Sequence, residues 1–259
     1  MKNHYILVLL LLLLFYQCKS AGNLVKKNEN KAMEVYLCIG QSNMAGRASV
    51  EDIDKDTLVN VFLFTRKENN LWEKAVNPFN RYSTVRKKLS MQRLSPSYSF
   101  AKTMSNAKPN TKIGLIVNAK GGTSIEEWKP GETLYNEAIN QTKKALKTGA
   151  VLNGVIWHQG EANVSRYKKY LPKLVELIEA LRLDLNQPSL PFIAGQLSED
   201  KPNRKGFNDM LMNLPKTVSN TGVVSSENTS TTDQTHFDSA SQRLIGERYA
   251  EEMLKLLNK

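Results

Sequence analysis

Val35-Tyr-Leu-Cys-Ile-Gly-Gln-Ser-Asn-Met-Ala-Gly-Arg47 opens with five consecutive apolar residues and breaks at Gly40 into a polar turn. Apolar residues on successive rather than alternate positions mark a strand buried on both faces, as in a parallel sheet covered by helices. Ser42 leaves that strand on a glycine turn, a position that suits a nucleophilic hydroxyl.

Working outward, residues 58–64, 113–117, 151–157 and 192–194 read as further strands bounded by Gly, Asn or Pro. Residues 97–107, 133–146, 167–183, 206–214 and 239–257 read as helices, with three- and four-residue apolar spacing clearest over 167–183 and 239–257. Strands alternating with helices indicate an α/β protein, a three-layer α/β/α sandwich on a doubly wound parallel sheet. Ligands bind such sheets beyond the carboxyl ends of the strands. There the chain continues with Gly40, Asn118 and His158. Residues 65–95 are basic and poorly patterned, and are expected to lie over the mouth of the site.

The 259 residues, 41% hydrophobic and 24% charged, suffice for one sizeable core. Lys2 and the twelve-residue apolar run 5–16, followed by Gln17, Cys18, Lys19 and Ser20, have the organisation of an export signal. Twelve residues fall short of the roughly 20 that span a bilayer. The expected layout is an export signal over 1–20, a polar tether over 21–32 and a catalytic domain over 33–259. Cys18 stands where a bacterial lipoprotein is cut and acylated; cleavage near Ala21 is the alternative. Either way the protein is expected to be exported: periplasmic, a cell-surface lipoprotein or secreted. Lipidation at Cys18 would leave Cys38 without an intrachain partner, as a small buried hydrophobe.

The formal charge is +11, and loss of residues 1–17 removes only Lys2, leaving +10. Arg86-Lys-Lys88, Lys143-Lys144 and Lys168-Lys169 read as solvated faces, with no aromatic-interleaved nucleic-acid module beside them. No nucleic-acid partner is expected, and any membrane contact would run through a lipid anchor at Cys18.

A serine needs a base within hydrogen-bond reach and a group to orient that base. Of three histidines, His4 falls in the export segment, leaving His158 and His236. His236 has Asp233 one turn before it, in a polar loop ahead of the C-terminal helix. Gly121-Gly122-Thr123 after the third strand can offer backbone N–H groups to an oxyanion. The N–H of Ser42 and the Gln159 amide are further donors, with Asn43 another candidate.

Gly40-Gln-Ser-Asn-Met-Ala-Gly46, Gly121-Gly-Thr-Ser-Ile125 with Glu127-Trp128, Trp157-His-Gln-Gly-Glu161, and Asp233-Gln-Thr-His-Phe237 together resemble the sialate O-acetylesterase and carbohydrate esterase family 6 branch of the SGNH hydrolases. The four blocks run in order between about residues 34 and 255. The resemblance implies a flavodoxin-like sandwich and removal of acetyl groups from sugars with no cofactor and no metal. By position it makes Ser42 the nucleophile, His236 the base, Asp233 its orienting acid, and Ser42, Gly122 and Gln159 the oxyanion hole. Glu161 is the second choice as orienting acid, with Asn43, Gly121 and His158 in support. The Gly-Pro-Gly element that commonly precedes the second-strand helix is replaced here by Arg93-Leu-Ser-Pro-Ser97.

Simpler readings compete at single residues. Ser124 suits a helix cap, and Trp157 suits the core. Trp128 divides evenly between core and a sugar-stacking platform, and Arg47 between substrate contact and plain exposure. His158, Glu161, Asp233 and His236 lack the spacings of recognised metal motifs. The expected partner is an acetylated oligosaccharide or polysaccharide. The competing functions are an inactive carbohydrate-binding lipoprotein on the same fold, or an SGNH lipase or thioesterase.

Overall fold

A computed structural model describes residues 31–258. The proposed export signal, Cys18 and most of the tether lie outside the described residues.

Among the described residues seven strands form one sheet: β1 (Glu34–Gly40), β2 (Val61–Lys67), β3 (Asn70–Lys74), β4 (Ile113–Val117), β5 (Val151–His158), β6 (Phe192–Gly195) and β7 (Thr221–Val224), in the order β3-β2-β4-β1-β5-β6-β7. All neighbours are parallel except β3, which pairs antiparallel with β2 at the edge. The α-helices of the described residues are α1 (Ser42–Ala45), α2 (Pro96–Ala107), α3 (Thr133–Leu146), α4 (Tyr170–Asp184), α5 (Lys205–Leu211), α6 (Leu214–Thr217) and α7 (Ser239–Leu257).

Because side chains alternate across a strand, β1 feeds two cores. Val35, Leu37 and Ile39 join the layer with α3, α4 and α5, while Tyr36 and Cys38 join the layer with α2 and α7. This is the expected three-layer sandwich. In the first layer Trp128 and Trp157 pack edge to face with centroids 5.2 Å apart. Each is fully buried, which settles Trp128 as a core residue and removes it as a sugar platform. Cys38 is buried too, and desolvation pushes its thiol up to about 12, out of reach of thiolate chemistry at neutral pH.

Two strands are not legible in the sequence. Asn70-Leu-Trp-Glu-Lys74 is a mostly polar edge strand, and charge on an edge discourages pairing with other chains. Thr221-Gly-Val-Val224 is only four residues long. The helix expected over 206–214 is divided, because Pro215 cannot donate within α5 and instead sits near the start of α6. Pro96 starts α2 in the same way, where the Gly-Pro-Gly element is missing. Helix α4 starts at Tyr170, after 3₁₀ turns between Glu161 and Lys169 that are broken by a kink at Arg166.

The chain leaves β1 toward β2 on one side, whereas β5 hands on to β6 and β7 on the other. The crevice beyond β1 and β5 is therefore the topological switch point of the sheet. The segments after β1, β4, β5 and β7 converge there.

Candidate active site

The turn after β1 begins where Gly40, at φ +139°, approaches the main chain of β5. A Cβ on residue 40 would lie 2.2 Å from His158 O, so only glycine fits. The Gln41 N–H donates to that same carbonyl over 2.9 Å. This pins the turn, and Ser42 follows as the first residue of α1.

The His236 loop is shaped by its own residues. Main-chain pairing of Asp238 with Ser230 and of Thr232 with His236 closes it, and Gln234 takes a left-handed φ of +59° at the bend. Asp233 Oδ1 accepts the N–H groups of Thr235 (3.0 Å) and His236 (2.7 Å), an Asx-type turn. Its Oδ2 lies 2.7 Å from His236 Nδ1. On the far side of the ring, His236 Nε2 lies 3.0 Å from Ser42 Oγ. Asp238 then caps α7 by accepting the Ser241 N–H over 2.8 Å.

Burial by itself would raise the Asp233 carboxyl. The hydrogen bonds from the His236 N–H and imidazole outweigh that and hold it below the usual carboxylate range. An ionised Asp233 fixes a proton on Nδ1 and leaves Nε2 free to accept one from Ser42.

Facing this chain is the turn after β4. Asn80 clips it in place, exchanging two 3.0 Å hydrogen bonds with the main chain of Ala119. Asn118 accepts from Ser83 Oγ and the Thr84 N–H, and so ties residues 83–84 to the same strand end. A Cβ at Gly121 would lie 3.3 Å from Ser42 Cβ and 2.5 Å from Arg47 Nη2. Gly122, at φ +78°, would meet only Lys87 Nζ at 3.4 Å. Among the described residues, none of the N–H groups of Ser42, Gly121 and Gly122 donates to another protein group. Unpaired main-chain N–H groups on turns that meet beside a serine could serve an oxyanion. Of residues 65–95, the first part is the β2–β3 edge hairpin, whereas Lys87 and Met91 do border the site. Arg47, half-buried, donates through Nη1 to Gly46 O and Met91 O.

Gln159 does not sit as expected. Its Nε2 faces Thr123 O at 3.0 Å, Asn163 Oδ1 at 2.9 Å and Gln41 Oε1 at 3.3 Å, so two hydrogens already meet three protein acceptors. Its Oε1 accepts from Tyr170 Oη. The Gln159 side chain thus braces the glycine turn against the end of β5, and neither hydrogen is open to an oxyanion. The Asn43 side chain is likewise committed, donating to Glu161 Oε1 (2.7 Å) and Thr235 O (3.1 Å).

Glu161 bonds to Asn43, and Asp233 occupies the imidazole nitrogen that Glu161 would need as orienting acid. Burial raises the Glu161 carboxyl, partly offset by its own N–H, Asn43, Arg204 and His236. The His158 ring is buried against Phe237 and Tyr249. Tyr249 Oη donates its one proton to Trp157 O (2.6 Å), so the 3.1 Å contact with His158 requires Nδ1–H to donate. Burial lowers the His158 pKa to about 3, leaving a neutral core histidine. Ser124 caps the 3₁₀ turn Ile125–Trp128 through a capping box with Glu127. Among the described residues no group of three His, Cys, Asp or Glu side chains is arranged to hold a metal ion.

Arg204 is invisible in the sequence, where Lys201 to Lys205 looks like a solvated basic stretch. It is buried behind the histidine loop, bonded to Ser198 and, over 3.3 Å, to Thr235 Oγ1. Only a long-range fold could reveal that.

Residues 32–255 match the family described as carbohydrate esterase, sialic acid-specific acetylesterase. The chain belongs to this family. As a carbohydrate esterase it is a carboxylic ester hydrolase. A probable carbohydrate esterase of Arabidopsis thaliana is 30% identical over 177 residues, spanning 62% of this chain and 67% of that one. The crystal structure of that Arabidopsis protein superposes with a TM-score of 0.78 at 25% identity, covering 86% of this esterase and 98% of its relative. A carbohydrate acetylesterase from Xanthomonas citri shares the fold, with a TM-score of 0.64 at 21% identity over 86% of this chain and 56% of that one.

Proposed function

We propose that this esterase removes O-acetyl groups from carbohydrate through an acetyl-enzyme on Ser42. The hydrogen-bonded series Asp233–His236–Ser42 beside unpaired N–H groups carries the reading. Ser42 Oγ attacks the acetyl carbonyl carbon as its proton passes to His236 Nε2, and Asp233 stabilises the imidazolium. The carbonyl oxygen, now negative, is held by the N–H groups of Ser42 and Gly122, with Gly121 beside them. The C–O bond to the sugar then breaks, and His236 returns the proton to the departing sugar oxygen. Water, deprotonated by His236, attacks the acetyl carbon; acetate leaves and Ser42 regains its proton.

An acetate-release screen over acetylated xylan, sialic acid and other acetylated glycans tests the reading, run beside Ser42→Ala. Release by the wild type and none by the variant is expected. Equal release by both would refute it.

We further propose that the protein is exported, supported by Lys2 and the apolar run 5–16. Among the described residues no helix is long and apolar enough to cross a membrane. Radiolabelled palmitate incorporation that Cys18→Ala abolishes would mark a lipoprotein, whereas a soluble product cleaved near Ala21 would mark plain secretion.

A further inference from the structure

The residue beside the proposed nucleophile grips the main chain on either side of the proposed base. The fully buried Asn43 amide makes four hydrogen bonds, the whole capacity of the group. Nδ2 donates to Thr235 O at 3.1 Å and Glu161 Oε1 at 2.7 Å; Oδ1 accepts from the Phe237 N–H at 3.1 Å and Gln242 Nε2 at 3.2 Å. Thr235 and Phe237 are the neighbours of His236. One planar side chain therefore spans the backbone of residue 236, much as a paired strand would, from a Cα adjacent to that of Ser42.

The orientation of this clip is fixed chemically. Exchanging Oδ1 and Nδ2 would set an oxygen against a carboxylate and a carbonyl, and an NH₂ against two donors. Glu161 supplies the acceptor that tells the two ends of the amide apart, since its Oε1 faces Nδ2 at 2.7 Å.

Resting on the roles proposed for Ser42 and His236, we infer that Asn43 is a positioning residue that sets the distance between Ser42 Oγ and His236 Nε2, and that Glu161 acts by orienting Asn43. Glu161 then needs no contact with the imidazole. Its Oε1 serves as an acceptor of the Asn43 N–H, a task an amide oxygen can also perform.

The test compares wild type, Asn43→Ala, Asn43→Asp, Glu161→Gln and the double variant Asn43→Asp/Glu161→Gln. It reads kcat and KM on p-nitrophenyl acetate, thermal unfolding, and the low-field proton resonance of the His236 Nδ1–H bonded to Asp233. Asn43→Ala is expected to lower kcat by roughly 10- to 100-fold with KM changed by less than about threefold, and to broaden the low-field proton. Glu161→Gln should stay within about threefold of wild type, because the amide oxygen it introduces still accepts from Asn43. Asn43→Asp should be the worst, with two acidic side chains face to face. Adding Glu161→Gln should restore at least about fivefold, because the amide then at position 161 can donate to the carboxylate at position 43.

Wild-type kcat and an unchanged low-field proton in Asn43→Ala would overturn the inference. So would a Glu161→Gln loss as large as that of Ser42→Ala, or a double variant no better than Asn43→Asp. The last comparison holds even if Asn43→Ala fails to fold. A wild-type protein without esterase activity would defeat the proposed reaction instead, and the low-field proton in wild type and variants would still decide the role of Asn43.

Discussion

Ser42 and His236, 194 positions apart in the chain, meet with Oγ 3.0 Å from Nε2. The meeting is produced by topology: β1 and the β7–α7 connection both end at the same crevice. Residues that act as one unit lose function together. Ser42→Ala and His236→Ala should each lower kcat by about 10⁴-fold or more, and the double variant should be little worse than either. Additive losses in steady-state kinetics would show that the two side chains do not act as one unit.

Asp233 accepts three hydrogen bonds at once, from the Thr235 N–H, the His236 N–H and the imidazole. Replacing it with asparagine puts an NH₂ where one of these donors now points and favours the wrong imidazole tautomer. Asp233→Asn should cost roughly 10²- to 10⁴-fold in kcat, with KM little changed. Activity retained within a few-fold would remove Asp233 as orienting acid.

Gly122 is held at φ +78° with open space around its missing Cβ apart from Lys87 Nζ. A clash is therefore not what excludes alanine; the left-handed backbone is. Gly122→Ala should cost about 1–2 kcal/mol of stability in denaturant unfolding. If the strain is relieved by turning the N–H away from Ser42, kcat should fall by about tenfold or more. Unchanged kcat in a variant whose crystal structure shows the residue-122 N–H turned away would remove this N–H from the oxyanion site.

His158 gives a pH dependence unconnected with catalysis. Burial holds it neutral down to about 3, whereas in the unfolded chain it takes up a proton near the ordinary value of 6.5. Between those limits the unfolded state binds the extra proton. The contribution is complete above about pH 6.5 and declines toward pH 3 by up to about 1.4 kcal/mol per pH unit. His158→Phe keeps a ring against Phe237 and Tyr249 but cannot be protonated. Between pH 7 and 5, urea unfolding should show wild type losing about 2 kcal/mol more than this variant. Equal losses would contradict a buried neutral imidazole.

What the sequence discloses and what it hides follow one physical rule. Ile113-Gly-Leu-Ile-Val117 announces a central strand because a strand buried on both faces must be apolar throughout, whereas Asn70-Leu-Trp-Glu-Lys74 at the edge carries no such constraint. Asp233 and His236 are legible because their pairing is local, three residues within one turn. Gln159 reads as an oxyanion donor and is not one, because its partners, Thr123 O and Asn163 Oδ1, are brought to it by two other segments. Trp128 is undecided in the sequence for the same reason, since only the fold sets it against Trp157. Asn43 stands out beside Ser42, but its grip on the histidine loop carries no sequence signal: its four partners lie more than a hundred positions away.

An alkyl fluorophosphonate, which bonds covalently and by strong preference to an activated serine, tests the proposed nucleophile most directly. After inactivation of the folded protein, peptide mapping by mass spectrometry should find one phosphonyl adduct, on Ser42, in proportion to lost esterase activity, and none in His236→Ala. An adduct on Ser124 or any other residue instead, with Ser42 unmodified in the inactivated protein, would contradict the mechanism.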